Sequence, residues 1–195
     1  MASEASNSGI DICSAALVLV GANPITSFDD SSSESLIANQ LYEDVARTSL
    51  CNTRWRFATA QVELNRLTET PTGRFETAHQ IPGDFLLVHA ITVQDLQIEY
   101  TIYGDKVYSD ATDNDVLIMD YTYRASEVDW PSYFSLAVTY QMASVFASSL
   151  VRDKNLTALM ENKADALYRV ARTTDSQQQT TRKMVTSRFI TERRS

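Results

Sequence analysis

Residues 130–152 limit what this chain can become more than any other stretch. They read Trp-Pro-Ser-Tyr-Phe-Ser-Leu-Ala-Val-Thr-Tyr-Gln-Met-Ala-Ser-Val-Phe-Ala-Ser-Ser-Leu-Val-Arg. Phe134, Ala137, Val138, Met142, Val145 and Phe146 keep the 3–4 spacing of a helix. Tyr133, Leu136, Tyr140, Ala143, Ala147 and Leu150 carry the apolar surface around most of the circumference. A helix greasy on most sides must be covered on most sides, so this one belongs at the centre of a helical assembly. Its serine, threonine, tyrosine and glutamine content is too high for a good membrane span. Asp129 is the expected cap and Pro131 the expected first-turn residue.

Three further helices surround that centre. Residues 10–22 are short and apolar, with Ser8 to cap them and Gly21 to end them in a left-handed turn, and Asn23-Pro24 stops continuation. Residues 33–52 follow an acidic, serine-rich loop that offers Ser31 or Ser32 as cap. Their period puts Leu36, Ile37, Leu41, Val45, Thr48 and Leu50 or Cys51 inside, with Asn39, Glu43, Asp44 and Arg47 outside. Residues 154–172 align Leu156, Leu159, Met160, Ala164, Leu167, Tyr168 and Ala171 on one face. Between the two pairs the period changes to two. Residues 61–67, 85–91, 96–103 and 116–123 read as strands, and Gly104-Asp105 as a hairpin turn into residues 106–109. Residues 68–80, holding Pro71, Gly73 and His79, read as a mobile loop. The expected architecture is α+β: a four-helix bundle with one inserted small antiparallel β-sheet domain and an extended C-terminal tail. The corresponding segments are residues 1–60 and 129–174 for the two bundle halves, 61–128 for the sheet domain and 175–195 for the tail.

Charge is unevenly spread. The chain carries −8 in total. Residues 182–195 hold five basic side chains against Glu192, a net +4, which leaves −12 for residues 1–181. An acidic body argues against a nucleic-acid-binding domain. In the tail, Arg182, Lys183, Arg188, Arg193 and Arg194 are interspersed with Met184, Val185, Phe189 and Ile190. Nucleic acid would not call for those apolar anchors, so the tail is expected to contact a protein.

Reactive chemistry is hard to place. There is no GxGxxG, Walker, GxSxG or HExxH pattern. Cys13 and Cys51 fall in helices with no CxxC spacing, and neither His79 nor His89 lies near a cysteine, so neither a disulfide nor a zinc site is expected. The acidic run around Asp110, Asp113 and Asp115 lacks the glycine and closing glutamate of an EF-hand. No catalytic group, metal or cofactor is therefore expected. No secretory leader is expected either, because the first residues lack a basic and an apolar region. Trp55, Phe57, Trp130 and the tyrosines at 100, 103, 108, 121 and 123 leave one other reading open, a glycan-binding platform or wall-active tail protein. Alternate tyrosines packing across a small sheet account for the same pattern.

The order of several motifs resembles a known family. Ala15 to Phe28, with Gly21, Asn23-Pro24-Ile25 and Ser27, is similar to the opening motif of podovirus tail tubular protein A, the head-to-tail adaptor of T7-like phages. Arg54-Trp55-Arg56-Phe57 resembles the family's W-x-F junction, Ile81 to Leu86 its entry to the sheet domain, Ile102 to Tyr108 its hairpin, and Trp130 to Phe134 the start of its core helix. The resemblance covers residues 10–172 and implies a non-enzymatic virion protein. It implies a homo-oligomeric, dodecameric ring in the tail, assembled in the host cytoplasm between a portal protein and a nozzle protein like tail tubular protein B. Genomic DNA would pass through the lumen without specific binding, and no membrane is involved. The tail residues named above would reach the portal or a neighbouring subunit. A neighbouring connector, such as a stopper or tail-completion protein, is the related alternative.

Overall fold

The computed structural model describes residues 8–68, 71, 73–112 and 114–178. Helices α1 (Gly9–Leu19) and α2 (Ser33–Cys51) come first, and α3 (Ser132–Phe146) and α4 (Lys154–Ser176) come last. Among the described residues seven strands lie between: β1 (Thr59–Glu63), β2 (Thr77–Gln80), β3 (Phe85–Val93), β4 (Leu96–Gln97), β5 (Tyr100–Tyr103), β6 (Lys106–Ser109) and β7 (Leu117–Tyr123).

Local chemistry sets the helix ends. Ser8 and Asp11 form a reciprocal capping box on α1, and Gly21 ends that segment at φ +77°. Ser32 caps α2 through the Ser35 amide, and the Ser35 hydroxyl donates back to the Ser27 carbonyl. Asp129 does not cap α3. It closes a short 3-10 turn, Glu127–Asp129, and Pro131 takes the cap position with no side-chain bond. After Phe146 the helix widens into a π-type turn, Ala147–Val151, and Arg152 adopts a left-handed conformation at φ 56°. Asp153 then caps α4 through the Asn155 and Leu156 amides.

α3 is the hub. Phe134, Ala137, Val138, Met142, Ala143 and Phe146 are fully buried, and α1, α2 and α4 all pack on it. The segment Ser132–Val151 is long and apolar enough to cross a membrane, and here most of it is covered by the other helices. Phe134 is ringed by Trp55, Phe57, Trp130 and Tyr168 at centroid distances of 5.1, 4.9, 4.9 and 6.5 Å.

The expected four-helix bundle with one inserted sheet is not what forms, although the α+β class and the four helices are present. α2 and α4 make almost no direct contact. α2 also turns a partly different face inward: of the expected set, Leu50 is buried and Ile37 and Val45 pack against the core, but Leu36, Leu41 and Thr48 do not. Ser35, Ala38, Tyr42, Ala46, Ser49 and Leu50 are buried, whereas Leu36 is 58% and Leu41 38% exposed. Small side chains let α2 lie close to its neighbours. At Gly9, an added Cβ would fall 2.6 Å from the Tyr42 ring.

The strands make two antiparallel sheets, in the orders β1-β7-β3-β4 and β2-β6-β5. The stretch expected as one strand, residues 96–103, is broken at Ile98-Glu99. β4 turns back on β3 through Gln94 and Asp95, both left-handed, while β5 pairs with β6 across the expected Gly104-Asp105 turn. The expected mobile loop supplies β2, held by β6 from Thr77↔Ser109 to Gln80↔Lys106. Ile91, Leu117 and Met119 of the first sheet meet Val107 of the second in a core of their own.

α4 runs past the expected end at Arg172 to Ser176 because Asp175 anchors it. Its buried carboxylate accepts from the Arg56 amide and the Tyr133 hydroxyl, at 3.1 and 2.9 Å, and its carbonyl accepts from Arg56 Nε. Arg182, Lys183, Met184, Val185, Arg188, Phe189, Ile190, Arg193 and Arg194, the expected contact residues, lie outside the described residues.

Candidate interaction surfaces

The separation of α2 from α4 opens a groove floored by α3. Leu41, Val45 and Thr48 line it from α2, Gln141 and Val145 from α3, and Tyr168 from α4. Asp44 and Asn52 stand at its rim. Its volume is about 310 Å³. One hydrogen bond spans it, between Ser49 Oγ and Tyr168 Oη at 2.6 Å. Ser49 spends its proton on the Val45 carbonyl, at 2.7 Å, so the Tyr168 hydroxyl is the donor. Burial pushes the Tyr168 phenol up to about 12, so this proton stays in place at neutral pH.

The helical layer also presents large apolar side chains to solvent. Val18 of α1, Leu36 of α2, and Leu159 and Val170 of α4 are 61%, 58%, 48% and 61% exposed. Packing through small residues explains why α2 turns Leu36 and Leu41 outward while Leu50 stays buried, and the leucine period alone could not show that.

A charged cluster joins the helical layer to the first sheet. Arg124, just after β7, reaches Glu127 Oε1 at 2.6 Å and Glu43 Oε2 at 2.9 Å, with its guanidinium 5.4 Å from the Trp130 ring centre. Tyr42 Oη donates to the same Glu127 oxygen at 2.9 Å. The hydrogen bonds from Arg124 hold the Glu43 carboxyl below its ordinary range. Every one of these groups is committed to a neighbour, and the cluster's role is to fix the sheet against α2.

The aromatic residues expected as a platform are dispersed. Trp55 is fully buried and Trp130 nearly so. Tyr121 is in the core of the sheets, and Tyr123 donates to the Phe57 carbonyl. On the second sheet Tyr103, 61% exposed, stacks edge-on against Tyr108, which also meets Phe75. Of the acidic run, Asp110 accepts from the Glu76 amide and Asp115 from Thr112, and Asp113 lies outside the described residues. Among the described residues, no three His, Cys, Asp or Glu side chains gather to hold a metal ion. Cys13 is sealed in the helical core, and burial pushes its thiol up to about 12.

The two histidines lie apart, His89 on β3 of the first sheet and His79 on β2 of the second. His89 Nε2 meets Thr122 Oγ1 at 2.8 Å. His79 is buried on β2 and its Nδ1 has no hydrogen-bond partner. Burial, then the nearby Arg66 charge, pushes its pKa below the ordinary 6.5. The unfolded chain therefore takes up this proton first as pH falls, and stability declines from pH 6.5 downward. The Glu43 carboxyl, with its folded pKa below 4.5, adds its own loss only at lower pH. Urea titrations between pH 7.5 and about 5 should show the decline, and His79→Gln should flatten part of it; an unchanged slope would place the cause elsewhere.

Compared with models of known protein families the chain matches none, and compared with curated proteins it has no match.

Proposed function

We propose that this chain is a ring-forming structural protein, the head-to-tail adaptor of a short-tailed phage. Copies stand side by side, as a dodecamer, between a portal and a nozzle protein, with DNA passing through the lumen. The observation that carries this reading is the set of unpartnered apolar side chains on α1, α2 and α4, together with the open groove between α2 and α4. A ring requires two chemically different faces that fit one another, and scattered apolar groups on separate helices meet that need better than one self-complementary patch. The motif order from residue 15 to residue 134 supplies the phage context. An acidic body suits a channel wall, since like charge keeps DNA from adhering.

The test is reconstitution. The purified chain is mixed with the portal protein of its phage and imaged by electron microscopy. The expected result is a ring of this chain on the portal; virions lacking it that package and eject normally would end the reading. Tyr103, Tyr108 and Phe75 are the features that favour the glycan-binding alternative. A glycan array answers that question directly, and binding lost on Tyr103→Ala would move the assignment.

A further inference from the structure

The groove between α2 and α4 lies within reach of the chain's own last residues. Two hydrogen bonds set the direction of α4 against the segment that runs from the end of α2 into the 3-10 turn Arg56–Ala58. Ser49 meets Tyr168, and seven residues later in each segment Arg56 meets Asp175. The two segments therefore run parallel, and the chain leaves α4 at the Asn52 end of the groove. Residues 179–195 continue from that point.

We infer that in the free chain residues 184–190 dock back into this groove, so that the C-terminal segment covers the apolar surface between α2 and α4 until a partner takes it. Reach, spacing and charge agree. From Gln178 back to the level of Tyr168 is about 15 Å at the helical rise. Residues 179–183, extended, span about 16 Å and bring Met184 there. From Asn52 to Leu41 the groove wall is about 16 Å long. Residues 184–190 span about 20 Å extended, which puts Met184 and Val185 at one end and Phe189 and Ile190 at the other. The flanking Arg182, Lys183 and Arg188 carry positive charge toward a body of net −12, with Asp44 on the groove's rim. Four apolar side chains meet an apolar groove, and basic side chains meet Asp44 at its rim.

This inference concerns the isolated chain and stands apart from the adaptor reading, which is tested on the portal. The experiment uses the full-length protein with Cys51→Ser and a nitroxide on Ser187→Cys. Cys13 is buried and stays unlabelled. In an isotope-labelled dilute sample, the amides of Leu41 to Asn52 and of Gln141 to Val145 should lose most of their signal. Adding Phe189→Asp and Ile190→Asp, changes outside the described fold, should restore it. A second sample mixes isotope-labelled chain without nitroxide and unlabelled chain with it. Broadening in that mixture alone would mean that the segment occupies a neighbour's groove and would overturn docking within one chain. Groove amides untouched in both samples would overturn it as well. Val45→Arg gives the reciprocal check from the groove side, with restored signals expected.

Discussion

Phe134→Ala should cost about 3–5 kcal/mol, the range for removing a large aromatic side chain from a packed core. Phe134 is fully buried and touches four other aromatic rings contributed by three parts of the chain. Trp55 and Phe57 come from the turn after α2, Trp130 from the approach to α3, and Tyr168 from α4. Truncation opens a cavity whose walls are pinned elsewhere, Trp55 by its bond to the Ser49 carbonyl and Trp130 by its bond to the Ala125 carbonyl. The walls cannot collapse to fill it. Against a typical stability of about 5–15 kcal/mol, the loss is a large share of the whole. Urea denaturation should show a lower midpoint with little change in slope. Leu136→Ala, two residues further along α3 but 47% exposed, is the control and should stay within about 0.5 kcal/mol. Equal effects at the two sites would contradict the central placement of α3.

Asp175→Ala should destabilise by about 1–3 kcal/mol, since two partly buried donors lose their acceptor, and a fully buried unsatisfied group would cost about 1–3 kcal/mol by itself. The donors are the Arg56 amide and the Tyr133 hydroxyl. The change also frees the end of α4, so hydrogen exchange in its last two turns should speed up more than in the helix middle. Asp175→Asn keeps an acceptor oxygen and should lose less. A loss under about 0.5 kcal/mol for the alanine variant would mean that water replaces the carboxylate at no cost.

Much of the helical part was legible because its signals are local. Ser8 before an apolar run, Gly21 after it, and the apolar circumference of residues 130–152 each carry their own mechanism, and the structure places them accordingly. The Gly104-Asp105 hairpin was legible for the same reason. What failed depended on partners far away in sequence. Leucines weigh most in any hydrophobic pattern, yet the buried face of α2 is chosen by how closely Ala38, Ala46 and Tyr42 allow α1 and α3 to approach. β2, Thr-Ala-His-Gln, has no strand pattern of its own and is made a strand by β6. Strict alternation from Leu96 to Tyr103 concealed the change of sheet at Ile98-Glu99, because alternation says which way side chains point and not which strand lies alongside. The groove could not be read at all, since it exists only where two helices fail to meet. Asp175 looked like the first residue of a polar tail, and only the Arg56 and Tyr133 donors reveal it as the anchor of a helix.

The packing of α1 on α3 also governs how the molecule is made. The last residue of α1, Leu19, and the first of α3, Ser132, are more than a hundred positions apart. At a synthesis rate of about 5–20 residues per second, roughly 6–20 seconds pass between the first helix leaving the ribosome and the arrival of the helix that shelters it. During that interval Ile12, Cys13, Ala16 and Leu17, all buried in the finished molecule, have no α3 to cover them. The nascent chain is thus most open to chaperones and to sticking to its neighbours before two thirds of it has been translated; α3 ends this exposure, and α4 then completes the helical layer.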